Sequence, residues 1–147
     1  MKRLLPPVLW ALCLIVMLVL AWRVPAAQFV APPYHLIGWA VAIIGCAFTI
    51  LGSRHFARVR TEINTFGTPG RLVTGGLFQF SRNPMYLGFF LALLGTAIGL
   101  NTLPALAPPL VFFLAAQFWY IPYEEKMAEA TFGQPYMDYK RSVRRWI

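Results

Sequence analysis

Acidic residues are scarce in this chain: 5 Asp and Glu stand against 13 Lys and Arg among 147 residues, and charged residues of both signs make up only 12%. Set beside a hydrophobic content of 59%, that shortage excludes an ordinary soluble globule. Cysteine is nearly absent as well. Cys13 and Cys46 both fall inside apolar runs, which argues against a disulfide framework or a thiolate metal site and leaves them as small packing residues. The 2 histidines, His35 and His55, each lack a second ligand at metal spacing, so no metal is expected. A net charge of +8 raises nucleic acid as a partner, but the cations are spread along the ends of apolar runs and form no single basic footprint. No nucleic-acid binding is expected. Cations so placed fit the flanks of membrane-spanning segments.

The apolar residues are gathered into runs long enough to cross a hydrocarbon core of about 30 Å, which takes about 20 helical residues. Unbroken runs imply helices, whose backbones are satisfied internally. Leu4 to Trp22 is a first span, closed by Trp22 and Arg23 at an interface. A cleaved signal peptide is the rival reading, because Lys2-Arg3, the apolar stretch and Pro25-Ala26-Ala27 imitate its three regions; the stretch exceeds the usual length of about 7 to 15 residues. Pro25, Pro32 and Pro33 make a connector, and a second span is expected over 34–52. The polar segment from Ser53 to Arg82 carries Arg54, Arg58, Arg60, Arg71 and Arg82 against Glu62 alone, with turn chemistry at Thr65 to Gly70. It is expected to face the cytoplasm.

From Met85 to Tyr123 no charge appears. About 40 residues at 1.5 Å each would reach roughly 60 Å, too far for one crossing. The break is expected at Gly99-Leu100-Asn101-Thr102-Leu103-Pro104, giving spans over 84–99 and 103–121, with Pro108-Pro109 kinking the last near its start. The expected architecture is all-α and integral to the membrane, one domain over 1–147 with four transmembrane helices. A cytosolic loop precedes the third span, and residues 122–147 form short interfacial helices. Gly133 reads as a stop and Pro135 as the next helix's first turn, with Tyr136, Tyr139 and Val143 on one face of a helix lying along the membrane surface. An even span count puts both termini in the cytoplasm, as the basic head, arginine loop and basic tail all require. A bacterial inner membrane is the expected location, with anionic lipid headgroups attracting the tail from Lys140 to Arg145.

The chemistry concentrates where the third span begins. Gly75 and Gly76 allow close backbone approach, Arg82 offers a fork of donors suited to a carboxylate, and Pro84 fits a helix's first turn. At the exit of the fourth span stand adjacent acids, Glu124 and Glu125. In isolation these are as well explained as a solvated helix start complementing its dipole. An antiparallel hairpin, however, brings Arg82, Asn83 and the two glutamates to the same face.

Several of these residues, in this order, resemble the isoprenylcysteine carboxyl methyltransferase and phospholipid methyltransferase superfamily. They are Leu72-Val73-Thr74, Gly76, the run Arg82-Asn83-Pro84-Met85-Tyr86-Leu87-Gly88, Glu124-Glu125, and Phe132-Gly133 followed by Tyr136 and Tyr139. The resemblance covers about Leu72 to Trp146; the first two spans carry no such signature. It implies a membrane enzyme using S-adenosylmethionine at a cytosolic pocket, with Gly76, Leu77, Phe78, Asn83, Pro84, Tyr86, Leu87, Glu124 and Glu125 as cofactor contacts. Arg82 and a glutamate, Glu125, would serve the reacting centre. The family's eukaryotic carboxyl methyltransferases have histidine where Asn83 stands; an amide still bonds through both ends. The implied acceptor is a lipid-like or prenylated small molecule, foremost a carboxylate, with a phospholipid amine as the alternative. A nicotinamide-dependent membrane reductase, which is similar near the C-terminus, and a non-catalytic membrane scaffold are the readings from other classes.

Overall fold

The computed structural model describes residues 4–24, 28–59 and 70–147. The basic head Met1-Lys2-Arg3, the Pro25-Ala26-Ala27 segment, Arg60, Glu62 and the turn at Thr65 to Pro69 lie outside the described residues.

Among the described residues every regular element is helical. Helices α1 (Pro6–Arg23) and α3 (Pro84–Leu100) both open with proline in the first turn, where a missing N–H costs nothing. Helix α2 (Leu36–Val59) continues well past the expected end of the second span, carrying His55 beyond its apolar stretch. Among the described residues three helices are long and apolar enough to cross a membrane: Pro6–Arg23, Leu36–His55 and Leu103–Phe132. Helix α3 is apolar but has only 17 residues. The protein is an integral membrane protein.

Helix α3 is the centre of the bundle. On one side its Tyr86, Leu93 and Ala97 join Cys13 and Met17 of α1 and Phe112, Ala116 and Tyr120 of the long C-terminal helix in the main apolar core. Across from that core, α3 meets α2 with almost no side chain between them. A Cβ added to Gly95 would lie 2.3 Å from the Ala42 nitrogen, and one added to Gly45 would lie 2.4 Å from the Ala92 nitrogen. Lipid tails are as apolar as leucine, so membrane helices associate by such close backbone packing on small residues. The seven-residue spacing of Gly38, Gly45 and Gly52 is visible in the sequence and is the signal for this face.

At the end of the bundle away from Glu125, Asn101 ends α3 in the left-handed conformation, φ 54°. Its side-chain oxygen accepts the N–H groups of Phe29 (3.2 Å) and Val30 (3.0 Å), and its amide donates to the Val30 carbonyl (2.8 Å). One buried amide thus ties the connector after α1 to the turn after α3. The chain breaks where the sequence predicts, and the side chain that closes the break is supplied by the break itself.

The long helix Leu103–Phe132 differs from the expected 103–121 span. It starts as a 3-10 turn, Leu103–Leu106, and becomes α4 (Ala107–Ala115), with Pro108 and Pro109 in the first turn. A π turn, Ala116–Tyr120, follows, and then α5 (Ile121–Phe132). Pro122 does not end the helix, because the wider turn just before it, in which the Ile121 N–H reaches the Ala116 carbonyl, makes room for a ring that would clash with the carbonyl four residues back. The extra residue also restores the buried face: Phe112, Ala116, Tyr120, Ile121 and Glu125 all point inward. Gly133, φ 57°, stops α5, and α6 (Gln134–Ser142) starts with proline in its first turn.

Candidate functional site

The segment before α3 is held from two sides. Its 3-10 turn, Gly76–Gln79, begins at a glycine with φ 62°, where a Cβ would stand 3.3 Å from the His55 ring on α2. The backbone angle favours glycine here, and a Cβ would in addition crowd the imidazole. Phe78 is buried with Val73, Tyr136 and Tyr139, and the Tyr139 hydroxyl donates to the Phe78 carbonyl at 2.6 Å. The tyrosine face of α6 thus packs on the protein's own loop.

Arg82 follows this turn with its side chain 8% exposed. Its Nη2 donates to Glu125 Oε1 at 2.9 Å and its Nη1 to the Lys140 carbonyl at 3.1 Å. Glu125 is ringed by cations: Arg145 spans both its oxygens, Nε to Oε1 at 3.1 Å and Nη2 to Oε2 at 2.7 Å, and Lys140 Nζ lies 3.7 Å from Oε2. Lys140 is in turn paired with Glu129. Beside this cluster Tyr86 donates its hydroxyl to Glu124 at 2.8 Å and stacks on Tyr120, ring centroids 6.1 Å apart. A buried carboxylate shared between two guanidinium groups is held from both sides, and each guanidinium still compensates its charge if the other is lost. The Nε of Arg82 is buried with no hydrogen-bond partner among the described residues.

The C-terminal tail completes the enclosure. The Arg144 carbonyl accepts the Arg82 backbone N–H at 3.0 Å, and the Arg145 carbonyl accepts from the Asn83 amide at 3.0 Å and the Ser81 hydroxyl at 3.4 Å. Trp146 donates its indole N–H to Gln117 at 2.8 Å and stacks on Phe113, centroids 5.2 Å apart. Sequence reasoning gave these tail cations to lipid headgroups and did not select Lys140, Arg145 or Trp146. Their only sequence signal is a string of cations around one tryptophan, which reads equally well as a membrane-surface segment.

Of the residues singled out from sequence, the structure brings Arg82, Asn83, Tyr86, Glu124 and Glu125 together at one end of the bundle. Phe78 packs on Tyr136 and Tyr139 of α6, and Gly76 and Leu77 precede it in the same 3-10 turn, with Gly76 beside the His55 ring. Phe78, Pro84, Tyr86 and Leu87 are buried, while Leu77, Asn83 and Glu124 are half-buried and Gly76 is exposed. Among the described residues no three His, Cys, Asp or Glu side chains converge as metal ligands.

Burial pushes the Tyr136 hydroxyl up to about 12, with the negative charge of Glu125 adding to the shift. Tyr139 is also raised to about 12 by burial, against the opposing pull of Arg82. Because the folded value lies above the ordinary 10, the neutral tyrosines stabilise the fold below pH 10, and that contribution is lost as pH rises from 10 through about 12. In a tyrosinate absorbance titration of the folded protein, Tyr136 and Tyr139 should contribute a late phase near 12. Loss of this late phase in Tyr136→Phe and Tyr139→Phe would assign it; a single phase near 10 in the folded protein would contradict the burial.

This fold and site define a helical membrane protein whose basic loop, paired acids and tail close into one ionic cluster at a membrane edge. A family model for phospholipid methyltransferases matches residues 33–135, and the chain belongs to that family. It is 34% identical over 107 residues to protein-S-isoprenylcysteine O-methyltransferase B of Arabidopsis thaliana, an overlap covering 71% of this chain and 48% of the plant protein. The A form from the same plant is 39% identical over 75 residues, 49% of this chain and 36% of its own length. A probable protein-S-isoprenylcysteine O-methyltransferase of Oryza sativa subsp. japonica is 29% identical over 122 residues, 71% and 60% respectively. The chain therefore spans about half the length of the curated relatives it matches.

Proposed function

We propose that this protein transfers a methyl group from S-adenosylmethionine to the carboxylate of a lipid-like or prenylated acceptor at the membrane edge. The observation that carries the reading is the guanidinium of Arg82, buried, pinned by Glu125 and the Lys140 carbonyl, and left with one donor, Nε, without a partner among the described residues. A buried unmet donor is costly, and an incoming carboxylate oxygen satisfies it. The names of the plant relatives support the same acceptor class.

The residues present suit the cofactor. Gly76 lies exposed at the turn before α3, and Glu124, held by Tyr86, places an acid at the same end for an amino group. Gly76, Leu77, Asn83 and Glu124 would contact it, with Phe78, Pro84, Tyr86, Leu87 and Glu125 supporting them. When bound, S-adenosylmethionine supplies a methyl on a cationic sulfur; forming the O–C bond and breaking the S–C bond leaves the electron pair on sulfur and releases no proton. Arg82 then orients the acceptor oxygen, and Glu125 and Arg145 hold Arg82 in place. Because the opposite charges of the reactants are consumed, a poorly hydrated edge favours the step. A lipid amine would need a base, and Glu125 has both oxygens committed to cations.

In this reading α3 crosses together with the three longer helices. Four crossings place Leu4, Arg82 and the tail in the cytoplasm, in a bacterial inner membrane. Support comes from charge: at the far end of the bundle Arg23 is the single Lys or Arg among the described residues, whereas Arg54, Arg71, Arg82 and the tail cations gather at the other.

The test is incubation of the purified full chain in detergent with methyl-labelled S-adenosylmethionine and an extract of lipids and prenylthioether acids. Label released as methanol by mild alkali is the expected ester. Base-stable label on an amine headgroup would overturn the carboxylate assignment, and no transfer at all would overturn the activity.

A further inference from the structure

After α6 the chain runs extended, with Val143 at φ −125° and ψ 135°, so its last residues are ordered by what they touch and not by helical hydrogen bonds. Ser81, Arg82 and Asn83 contribute three donors to the carbonyls of Arg144 and Arg145, which fixes the entrance to α3. Those bonds form one end of a strap whose other end is Trp146. Its indole N–H donates to Gln117 at 2.8 Å and its ring lies on Phe113, which in turn meets Phe90 of α3 with centroids 5.3 Å apart. Neighbouring side chains of an extended chain point opposite ways. Arg145 therefore reaches Glu125 while Trp146 reaches Gln117, eight residues earlier on the long helix. At about 3.6 residues per turn, eight residues overshoot two turns by about 80°. The π turn Ala116–Tyr120 absorbs one residue and brings Gln117 and Glu125 back towards one face, so the wide turn sets the spacing at which the tail is fastened.

We propose that Trp146 is a positioning residue for the methyl transfer: anchored on Gln117 and Phe113, it keeps the Arg144 and Arg145 carbonyls on Arg82 and Asn83, and so holds the Arg82 guanidinium where the acceptor carboxylate must meet it. The inference rests on the carboxylate reading above and adds what aims the arginine. Glu125 and the Lys140 carbonyl fix the tip of the Arg82 side chain, whereas the tail fixes its root, through the Arg82 N–H and the Arg144 carbonyl. Freed at the root, the guanidinium keeps its partners at the tip but loses its angle. The donor offered to the acceptor is Nε, the guanidinium nitrogen nearest the root, and its direction suffers first. A misplacement of about 1 Å at a reacting centre can cost on the order of 100-fold in rate.

The experiment uses the purified full chain in detergent, methyl-labelled S-adenosylmethionine and a prenyl thioether of 3-mercaptopropionic acid as acceptor. Trp146→Ala should lower kcat about 10- to 100-fold and leave the cofactor Kd within about threefold. Trp146→Phe keeps a ring on Phe113 and loses the bond to Gln117, so it should restore turnover to within about fivefold of native, the worth of one hydrogen bond. Gln117→Leu removes the same bond from the other side and should match it, and joining the two substitutions should add nothing. In an Arg82→Ala background Trp146→Ala should likewise add nothing, since the group it aims is gone. A merely structural role would multiply the losses and weaken cofactor binding together with kcat, and either result would overturn the proposal. Amide hydrogen exchange reads the fastening without turnover. In Trp146→Ala the peptide holding Arg82 and Asn83 should lose protection while the middle of α3 keeps it, and unchanged protection would overturn the proposal even if activity fell. A strap that loosens in this way, in a protein whose native form transfers no methyl, would uphold the fastening and overturn the activity reading, so the two failures are separable.

Discussion

Arg82→Ala should lower methyl transfer by about two to three orders of magnitude, the range seen when a preorganised donor is removed from a reacting centre, while the protein still inserts and purifies as a folded species. Folding should tolerate the change because Glu125 keeps Arg145 across both oxygens and Lys140 nearby. Losing one charge-assisted bond to a buried carboxylate costs about 1.5–3 kcal/mol, not the whole fold. Arg82→Lys should rescue little. The guanidinium serves the Lys140 carbonyl and Glu125 at once and retains a further donor, whereas an ammonium is a point charge without the planar fork. Labelled turnover and detergent size-exclusion profiles measured on the same preparations check both halves. Turnover in Arg82→Ala within about threefold of the native protein would remove Arg82 from the centre, since loss of a reacting-centre donor costs far more than that.

Gly95→Leu should abolish the folded protein altogether. The first atom of any side chain there meets the Ala42 nitrogen at 2.3 Å and the Gly38 carbonyl oxygen at 2.6 Å, and backbone atoms of a packed helix cannot swing aside. Even Gly95→Ala should cost at least about 1–3 kcal/mol by overpacking, visible as a lowered thermal midpoint in detergent. Leucine forces α2 and α3 apart, and α2 carries the His55 ring that backs Gly76, so the site loses a wall together with the bundle. Ile43→Ala is the control: it lies on the same helix as Ala42 but is 70% exposed, so it should leave the midpoint nearly unchanged. A well-behaved Gly95→Leu protein with native stability would show that the two helices do not pack this closely.

The limits of sequence legibility follow from particular residues. Asn101 and Gly133 were readable as punctuation because a left-handed backbone is a local property, set by the residue that adopts it. The continuation of the helix through Pro122 is not a local property. Proline normally ends a helix, and only the π turn upstream, a feature of the whole helix and its packing, lets the chain continue through it to Phe132. Pairing Arg82 with the glutamates followed from counting crossings, but the choice of Glu125 over Glu124 did not. Adjacent residues on a helix point about 100° apart, and the inserted π residue decides which one faces Arg82. Arg145 was beyond reach, since a basic residue near a terminus has the same composition whether it meets lipid or a buried carboxylate.

Composition and run length by themselves determined that this chain is helical and belongs in a membrane, because the cost of burying backbone and charge in hydrocarbon depends on which residues are adjacent along the chain. They also fixed where the third helix starts and ends, through proline, glycine and asparagine. Only the tertiary structure decided that Glu125 and not Glu124 takes Arg82, that the tail folds back to clasp both, and that α2 and α3 meet backbone to backbone. Those outcomes depend on distances between residues far apart in sequence, and such distances are set when helices pack, by side-chain volume and charge pairing that no single segment contains.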